Sequence, residues 1–92
     1  MVPIHPGRIL RRELKARRLS ANALSRALRV PSGRIVDILN GKRSISAETA
    51  LRLGRYFRND ALLWINLQAQ YDLARAMRDS GPRIKREVEQ AA

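Results

Sequence analysis

Four residues near the middle of the chain could recognise the hydrogen-bonding groups on the edges of DNA bases. They are Ser32, Gly33, Arg34 and Asp37. Arg34 is the strongest candidate, because its planar guanidinium can donate two parallel hydrogen bonds to O6 and N7 of guanine. Ser32 and Asp37 are weaker candidates, and Asp37 could instead orient Arg34. Gly33 has no side chain, so we expect it to let the backbone approach a ligand closely. The alternative for Arg34 is an ordinary solvated charge on a helix.

A second group of residues could hold phosphates on both sides of this segment. Ser20 and Asn22 precede it, and Lys42, Arg43 and Ser44 follow it. Cations, hydroxyls and amides are the groups that contact phosphate oxygens, and such contacts give affinity and register without reading the base sequence. The two groups together predict a surface that binds double-stranded DNA.

The apolar residues of the stretch 20–43 predict two short helices that would position these groups. Pro31 separates the helices, since proline cannot continue the first helix but can begin the second. Ser25 is small where the two helices cross, and Asn40–Gly41 ends the second helix, because glycine takes the left-handed conformation at little cost. The stretch is therefore predicted to be a helix-turn-helix motif, whose second helix presents its N-terminal end to the major groove. Its inward residues recur at helical spacing: Leu24, Ala27 and Leu28, then Ile35, Ile38 and Leu39.

The charge of the chain favours a polyanionic partner. The 92 residues include 19 Lys and Arg against eight Asp and Glu, a net charge of +11. The charge is uneven, since residues 1–43 hold 11 basic residues and two acidic ones. A cationic rim around the predicted motif is where a nucleic acid would dock. An anionic lipid surface is a weaker alternative, because the apolar faces of the basic segments are needed for a core.

Other classes of function have little support in the residues. The chain has no cysteine, which excludes disulfides and thiolate metal ligands and fits a cytoplasmic location. No apolar run approaches the length of a membrane span or the centre of a signal peptide. His5 is the only histidine, no acidic cluster has metal-ligand spacing, and the serines lack a base partner. We therefore expect no enzyme activity, no metal and no cofactor. RNA is less favoured than DNA, because exposed aromatic platforms are too few.

The rest of the chain predicts three further helices, and hence one all-α domain over residues 1–79. An extended leader comes before a basic first helix of about residues 7–18, and helices of about 46–57 and 60–79 follow the motif. Ser20, Ser46 and Asp60 are the predicted N-caps. The segment 80–82, Ser-Gly-Pro, is expected to end the last helix and to leave a short extended tail over residues 80–92.

The last helix is more apolar than one small core requires. We therefore expect it to supply the interface of a twofold homodimer. The dimer would place two reading helices about one DNA turn, roughly 34 Å, apart on a palindromic operator. The expected interface residues are Leu62, Leu63, Trp64, Leu67 and Tyr71.

Five segments of the chain are together similar to the HigA-type antitoxins of the XRE (Cro/C1-type) helix-turn-helix superfamily. The segments are HPGRIL, NALSRALRVPSGRI, NGKRSIS, TALRLGRYF and WINLQAQYDL, and the similarity extends over about residues 5–75. The resemblance implies a five-helix, lambda-repressor-like dimer that represses its own toxin–antitoxin operon. It also implies a protein partner, a small basic ribonuclease toxin of the RelE/HigB-like kind, which the antitoxin neutralises.

The surface that would contact a toxin is harder to place. The leader and first helix offer Ile4, His5 and Ile9, and the C-terminal helix and tail are the alternative. The simpler interpretation of His5 is a capping or surface histidine. A free-standing transcriptional regulator without a toxin would share every DNA-binding feature, so that alternative stays open.

The chain also departs from the pattern of the family. Glycine is usual at the positions of Arg29 and Arg58, and glutamine at that of Ala21. Arg29 must therefore either accept a positive φ or shift the turn. The loss of the glutamine leaves the details of phosphate anchoring open.

Overall fold

Five α-helices make up the fold of the computed structural model, which describes residues 2–92. They are α1 (Pro6–Arg17), α2 (Ala21–Leu28), α3 (Ser32–Leu39), α4 (Ala47–Phe57) and α5 (Ala61–Glu87). No strand occurs in the described residues, so the predicted all-α, five-helix class is confirmed. Helices α2 and α3 pack against each other as the predicted helix-turn-helix. Within residues 2–92, no helix combines the length and the apolar character needed to cross a membrane.

Side-chain caps begin four of the five helices. The hydroxyl of Ser20 accepts a hydrogen bond from the Ala23 amide, and that of Ser46 accepts one from the Thr49 amide. A carboxylate oxygen of Asp60 accepts a hydrogen bond from the amide of Leu62. These three N-caps were predicted, and the hydrogen bonds confirm them. The fourth is the imidazole of His5, whose Nδ1 accepts a hydrogen bond from the Gly7 amide at 2.9 Å.

Arginine rather than glycine ends three of the helices. Arg18, Arg29 and Arg58 follow α1, α2 and α4 with φ of 53°, 57° and 58°, in the left-handed region. Arg29 therefore accepts the positive φ and leaves the turn unshifted. A side chain with a Cβ is strained in this conformation, at a cost of roughly 1 kcal/mol per residue. Each of these ends carries a strain that glycine would relieve.

All five helices enclose one core that is mostly aliphatic. Leu24, Leu28, Ile35 and Ile38 face inward as predicted, while Ala27 is exposed and Ser25 takes its place. The Ser25 hydroxyl donates a hydrogen bond to the carbonyl of Ala21, so this buried polar group is satisfied. The remaining buried apolar residues come from every other part of the fold: Leu10, Leu14, Ile45, Ala50, Leu53, Phe57 and Trp64.

Trp64 lies in this core and not on a surface. Only 1% of it is exposed in the single chain. Its ring packs near that of Phe57, and its indole N–H donates a hydrogen bond to the Asn59 side chain at 3.0 Å. The prediction that Trp64 belongs to a dimer interface was therefore wrong, because its side chain lies on the side of α5 that faces the core.

The predicted end of the last helix was also wrong. Helix α5 continues through Gly81 and Pro82 to Glu87, so the tail that follows covers residues 88–92 rather than 80–92. Proline removes one helical hydrogen bond, but a carbonyl on an exposed helix can bind water instead. An exposed ion pair between Arg83 and Glu87 spans the turn that follows the proline.

Helix α5 projects beyond the core. Its buried residues, Trp64 and Gln68, both belong to its first third, and residues 75–79 and 82–87 are all exposed. The chain is consequently elongated, with extents of 52 × 22 × 22 Å. The side of α5 opposite the core carries a row of exposed apolar residues, which we call the α5 apolar row: Leu62, Leu73, Met77 and Ile84.

Candidate nucleic-acid interface

Helix α3 presents the predicted face outward. Ile35 and Ile38 are fully buried, whereas Ser32 and Gly33 are exposed at the N-terminal end of the helix. No atom lies within 4 Å of the position that a Cβ on Gly33 would occupy, so the backbone there is open to a ligand. The N-terminal end of α3 therefore has the shape that close approach to base edges requires.

Arg34 lies at the edge of this face with its charge already paired. Its side chain is 28% exposed, and Nη1 lies 3.4 Å from a carboxylate oxygen of Glu48 at the start of α4. The same oxygen pairs with Arg52, whose other nitrogen donates to the carbonyl of Leu28 at 2.8 Å. The pair with Glu48 is partly exposed, so it is weak enough to exchange for a nucleic-acid acceptor.

Asp37 does not orient Arg34. Its carboxylate lies 3.9 Å from the guanidinium of Arg43, while Arg34 turns the other way toward Glu48. The suggestion that Asp37 positions Arg34 is therefore wrong in this structure. Asp37 instead connects the reading helix to a residue of the following loop.

The loop that carries Lys42, Arg43 and Ser44 is exposed and is fixed from behind by α5. Gln68, which is buried, accepts a hydrogen bond from the Ile45 amide at 2.8 Å and donates to the Ser44 hydroxyl at 3.3 Å. Its amide also donates to the Asp72 carboxylate. The three predicted phosphate contacts therefore lie together on a loop held in one position. Sequence reasoning missed Gln68, although a polar residue on the apolar side of a helix was a usable signal.

Ser20 and Asn22 lie apart from this loop, at the exposed N-terminal end of α2. The Ser20 hydroxyl is occupied in capping the helix. The first amides of α2 point outward from the same end, where phosphates are commonly bound. The two sets of residues that are predicted to bind phosphates thus lie on different elements. One set precedes α3 in the sequence, and the other follows it.

Val36 also lies on the face of α3 that is predicted to read bases, although it was not among the residues predicted from the sequence. Val36 is 38% exposed on α3, one turn after Ser32, and it adds an apolar side chain to an otherwise polar face. Its methyl groups could contact the methyl group of thymine, which is a common apolar contact in the major groove. The helical spacing from Ser32 would have identified it.

His5 joins the leader to α5 and to the loop that carries Lys42 and Arg43, which we call the phosphate-binding loop after its predicted role. Its ring packs edge-on against Tyr71 with centroids 4.8 Å apart, and it lies beside Gly41. Burial lowers the pKa of His5 below its ordinary value of 6.5, although a hydrogen bond with the Arg43 backbone and the Asp72 carboxylate partly offset this. The neutral imidazole is the form that accepts the Gly7 hydrogen bond, so the lowered pKa preserves the cap.

The residues that are expected to contact a toxin share one surface with two of those expected in the dimer interface. Ile4 and Ile9 line an apolar groove of about 220 Å³ together with Leu67 and Tyr71. Two proteins cannot occupy this groove at once. Leu62 and Leu63 are exposed outside it, at the start of α5.

No group of three or more His, Asp and Glu able to hold a metal occurs within residues 2–92.

Comparison with known proteins agrees with this arrangement. A family model described as helix-turn-helix matches residues 10–62. Virulence-associated protein I of Dichelobacter nodosus is 54% identical over 80 residues, which are 86% of this chain and 74% of that protein.

Two solved structures resemble nearly the whole chain. An addiction module antidote protein of a HigA family from Coxiella burnetii has a TM-score of 0.96 and 47% identity, over 99% of this chain and 100% of that one. The antitoxin HigA of Pseudomonas aeruginosa, solved with the higBA promoter, has a TM-score of 0.95 and 47% identity over the same shares. The resemblance extends over α5 as well as the helix-turn-helix.

Proposed function

The chain belongs to the helix-turn-helix family, in the group of HigA-type antitoxins, and from that premise we propose that it is a sequence-specific DNA-binding repressor. It acts as the antitoxin of a type II toxin–antitoxin module, represses its own operon and neutralises a RelE/HigB-like ribonuclease toxin. It works in the cytoplasm and needs no cofactor.

One observation carries the DNA-binding part of this proposal. The N-terminal end of α3 is exposed and open around Gly33, while the same helix is anchored by two fully buried isoleucines. Arg34 reads a base from this end, and Ser32, Val36 and Asp37 complete the reading face. Lys42, Arg43 and Ser44 bind phosphates from a loop that Gln68 holds in place. Ser20 and Asn22 bind phosphate at the start of α2.

Two copies of the chain bind the operator as a twofold dimer. The α5 apolar row lies on the side opposite the core and has no partner within the described chain. The part of α5 that projects beyond the core covers residues 75–87. An unsupported helix of about 12–15 residues is only marginally stable in water, so a second copy packed along the row would stabilise it. The dimer interface consists of this row with Leu63, which is exposed beside it. Leu67 and Tyr71, which were also expected at the interface, line the groove with Ile4 and Ile9 instead.

The toxin binds the groove formed by Ile4, Ile9 and the flank of α5. This surface is apolar, which suits a basic toxin that the overall positive charge would repel. Tyr71 lines this groove and also packs against His5, which borders the phosphate-binding loop. A toxin bound in the groove would therefore lie one side chain away from His5.

Selection of DNA tests the repressor function, and co-expression tests the antitoxin function. The protein is expected to enrich an inverted repeat from a randomised duplex library, and the region upstream of its own gene should contain that repeat. Co-expression should restore growth to cells that express the adjacent small gene. Failure to enrich any sequence would overturn the repressor proposal. Enrichment without a neutralised neighbour would identify a free-standing regulator instead.

A further inference from the structure

Helix α1 carries a row of four cations along one side. Arg8, Arg11, Arg12 and Lys15 recur at i, i+3, i+4 and i+7, which places all four on the same helical face. Together with Ile4 and Ile9, they line an open groove of about 510 Å³. We call these four residues the α1 cationic row.

The row has no acidic partner in the described chain. The ion pairs among residues 2–92 involve other arginines, and the acid of α1, Glu13, pairs with Arg17. Like charges three and four residues apart on a helix repel one another. Arg11 is engaged only by neutral acceptors, since it donates to the Leu39 carbonyl and to the Asn40 side chain. An anionic ligand would relieve this repulsion.

The row begins where the reading helix ends. The first turn of α1 packs directly on the end of α3, since a Cβ built on Gly7 would overlap the carbonyl oxygen of Ile38. Arg11 bonds the last carbonyl of α3 at 3.3 Å. His5, just before α1, lies beside Gly41 at the start of the loop that carries Lys42 and Arg43. The row is therefore continuous with the phosphate-binding loop across the end of α3.

From this continuity and this charge we propose that the α1 cationic row binds backbone phosphates of the DNA that flanks the half-site read by α3. The proposal rests on the proposed DNA-binding function and extends the bound length of duplex. Phosphate is the ligand that the charges select, because Arg and Lys side chains release condensed counterions when they neutralise it.

Two duplexes of different length test the proposal. Both carry the inverted repeat that the wild-type protein selects from a random library. One ends at the last base pair of that repeat, and the other extends about one turn beyond it on each side. The variant is Arg8→Gln/Arg12→Gln/Lys15→Gln, which retains Arg11 because that residue caps α3. The charge-matched control is Arg83→Gln/Lys85→Gln/Arg86→Gln, on the exposed end of α5. Circular dichroism establishes that both variants are folded.

Wild-type protein and the α5 control are expected to bind the long duplex more tightly than the short one, on the order of tenfold, and the α1 variant to bind both alike. The slope of log K against log salt on the long duplex should fall by about 0.9 for each phosphate that the α1 variant no longer neutralises. Equal weakening by the two variants, or no dependence on duplex length, would overturn the proposal. So would an α1 variant with unchanged DNA binding that no longer retains a partner protein. Failure of the proposed function itself would appear separately, as an absence of any selected sequence for the wild type.

Discussion

The exposed faces of α3 and α5 differ in both chemistry and support. The face of α3 is mostly polar, and the helix is held by Ile35 and Ile38 in the core and by Gly7 and Arg11 at its end. The outer side of α5 is apolar over most of its length, and its second half has no neighbour within the described chain. A firmly held polar face can present donors in fixed positions. An unsupported apolar face requires another chain to cover it.

This contrast assigns the two faces to different kinds of partner. Direct readout of bases requires side chains that are placed within hydrogen-bond geometry before binding, which a rigid helix provides. Association between chains requires apolar area, and the α5 apolar row provides it over several turns. The proposed base recognition and the proposed dimer assembly therefore lie on different faces, and each can be disturbed without the other.

The largest expected effect comes from placing charges on the α5 apolar row. Leu73→Glu/Met77→Glu should convert the proposed dimer to a monomer, because carboxylates cannot be buried there without a partner. Operator affinity should fall by about 100-fold or more, since the second half-site is no longer linked to the first. Sedimentation and fluorescence anisotropy measure the two effects. Gln90→Glu/Ala91→Glu adds the same charge in the tail as a control, and a double variant on α5 that remained dimeric would contradict the assignment.

A methyl group at Gly7 tests how firmly α3 is held. Gly7→Ala should destabilise the protein by about 2–3 kcal/mol, because its Cβ overlaps the backbone carbonyl of Ile38 and one helix must shift. Gly33→Ala is the matched control, since open space surrounds that position and alanine favours a helix by about 0.5–1 kcal/mol. Urea denaturation measures both. Equal stability of the two variants would show that the end of α3 is not fixed by α1.

Removal of Arg34 and of Lys42 should separate base reading from phosphate binding. Arg34→Ala is expected to cost about 1–3 kcal/mol on the selected operator and much less on random duplex. Lys42→Ala should weaken binding to both duplexes alike and lower the salt dependence by about one unit of slope. Titrations on the two duplexes over a range of salt distinguish the outcomes. An equal loss of affinity on both duplexes for Arg34→Ala would exclude that residue from the reading role.

The smallest expected effect is on stability and concerns the ends of α2 and α4, away from both faces. Arg29→Gly and Arg58→Gly should each stabilise the fold by about 0.5–1 kcal/mol, because relief of the positive φ outweighs the entropy that glycine adds to the unfolded chain. Arg55→Gly, inside α4, should instead cost about 1 kcal/mol. Differential scanning calorimetry measures the three variants. Destabilisation by Arg29→Gly would mean that its side chain makes an interaction worth more than the strain.

Much of the fold is already determined by local sequence. The N-caps Ser20, Ser46 and Asp60 and the stop at Gly41 act through hydrogen bonds and φ preferences within a few residues, so the sequence was sufficient to place them. The inward and outward faces of α3 follow from helical periodicity alone. The same local reasoning failed at Pro82, because its effect depends on whether the freed carbonyl can reach water.

The tertiary structure alone decided which groups meet across the chain. The pairing of Arg34 with Glu48, the hold of Gln68 on the loop and the burial of Trp64 join residues that lie far apart or across a turn. No periodicity encodes these interactions, since they depend on how the helices cross and how the side chains fill the space between them. The sequence by itself determined that a polar helix face and a cationic rim exist. Packing determined that the rim continues from the loop onto α1, and that the apolar surface left over lies on the far side of α5.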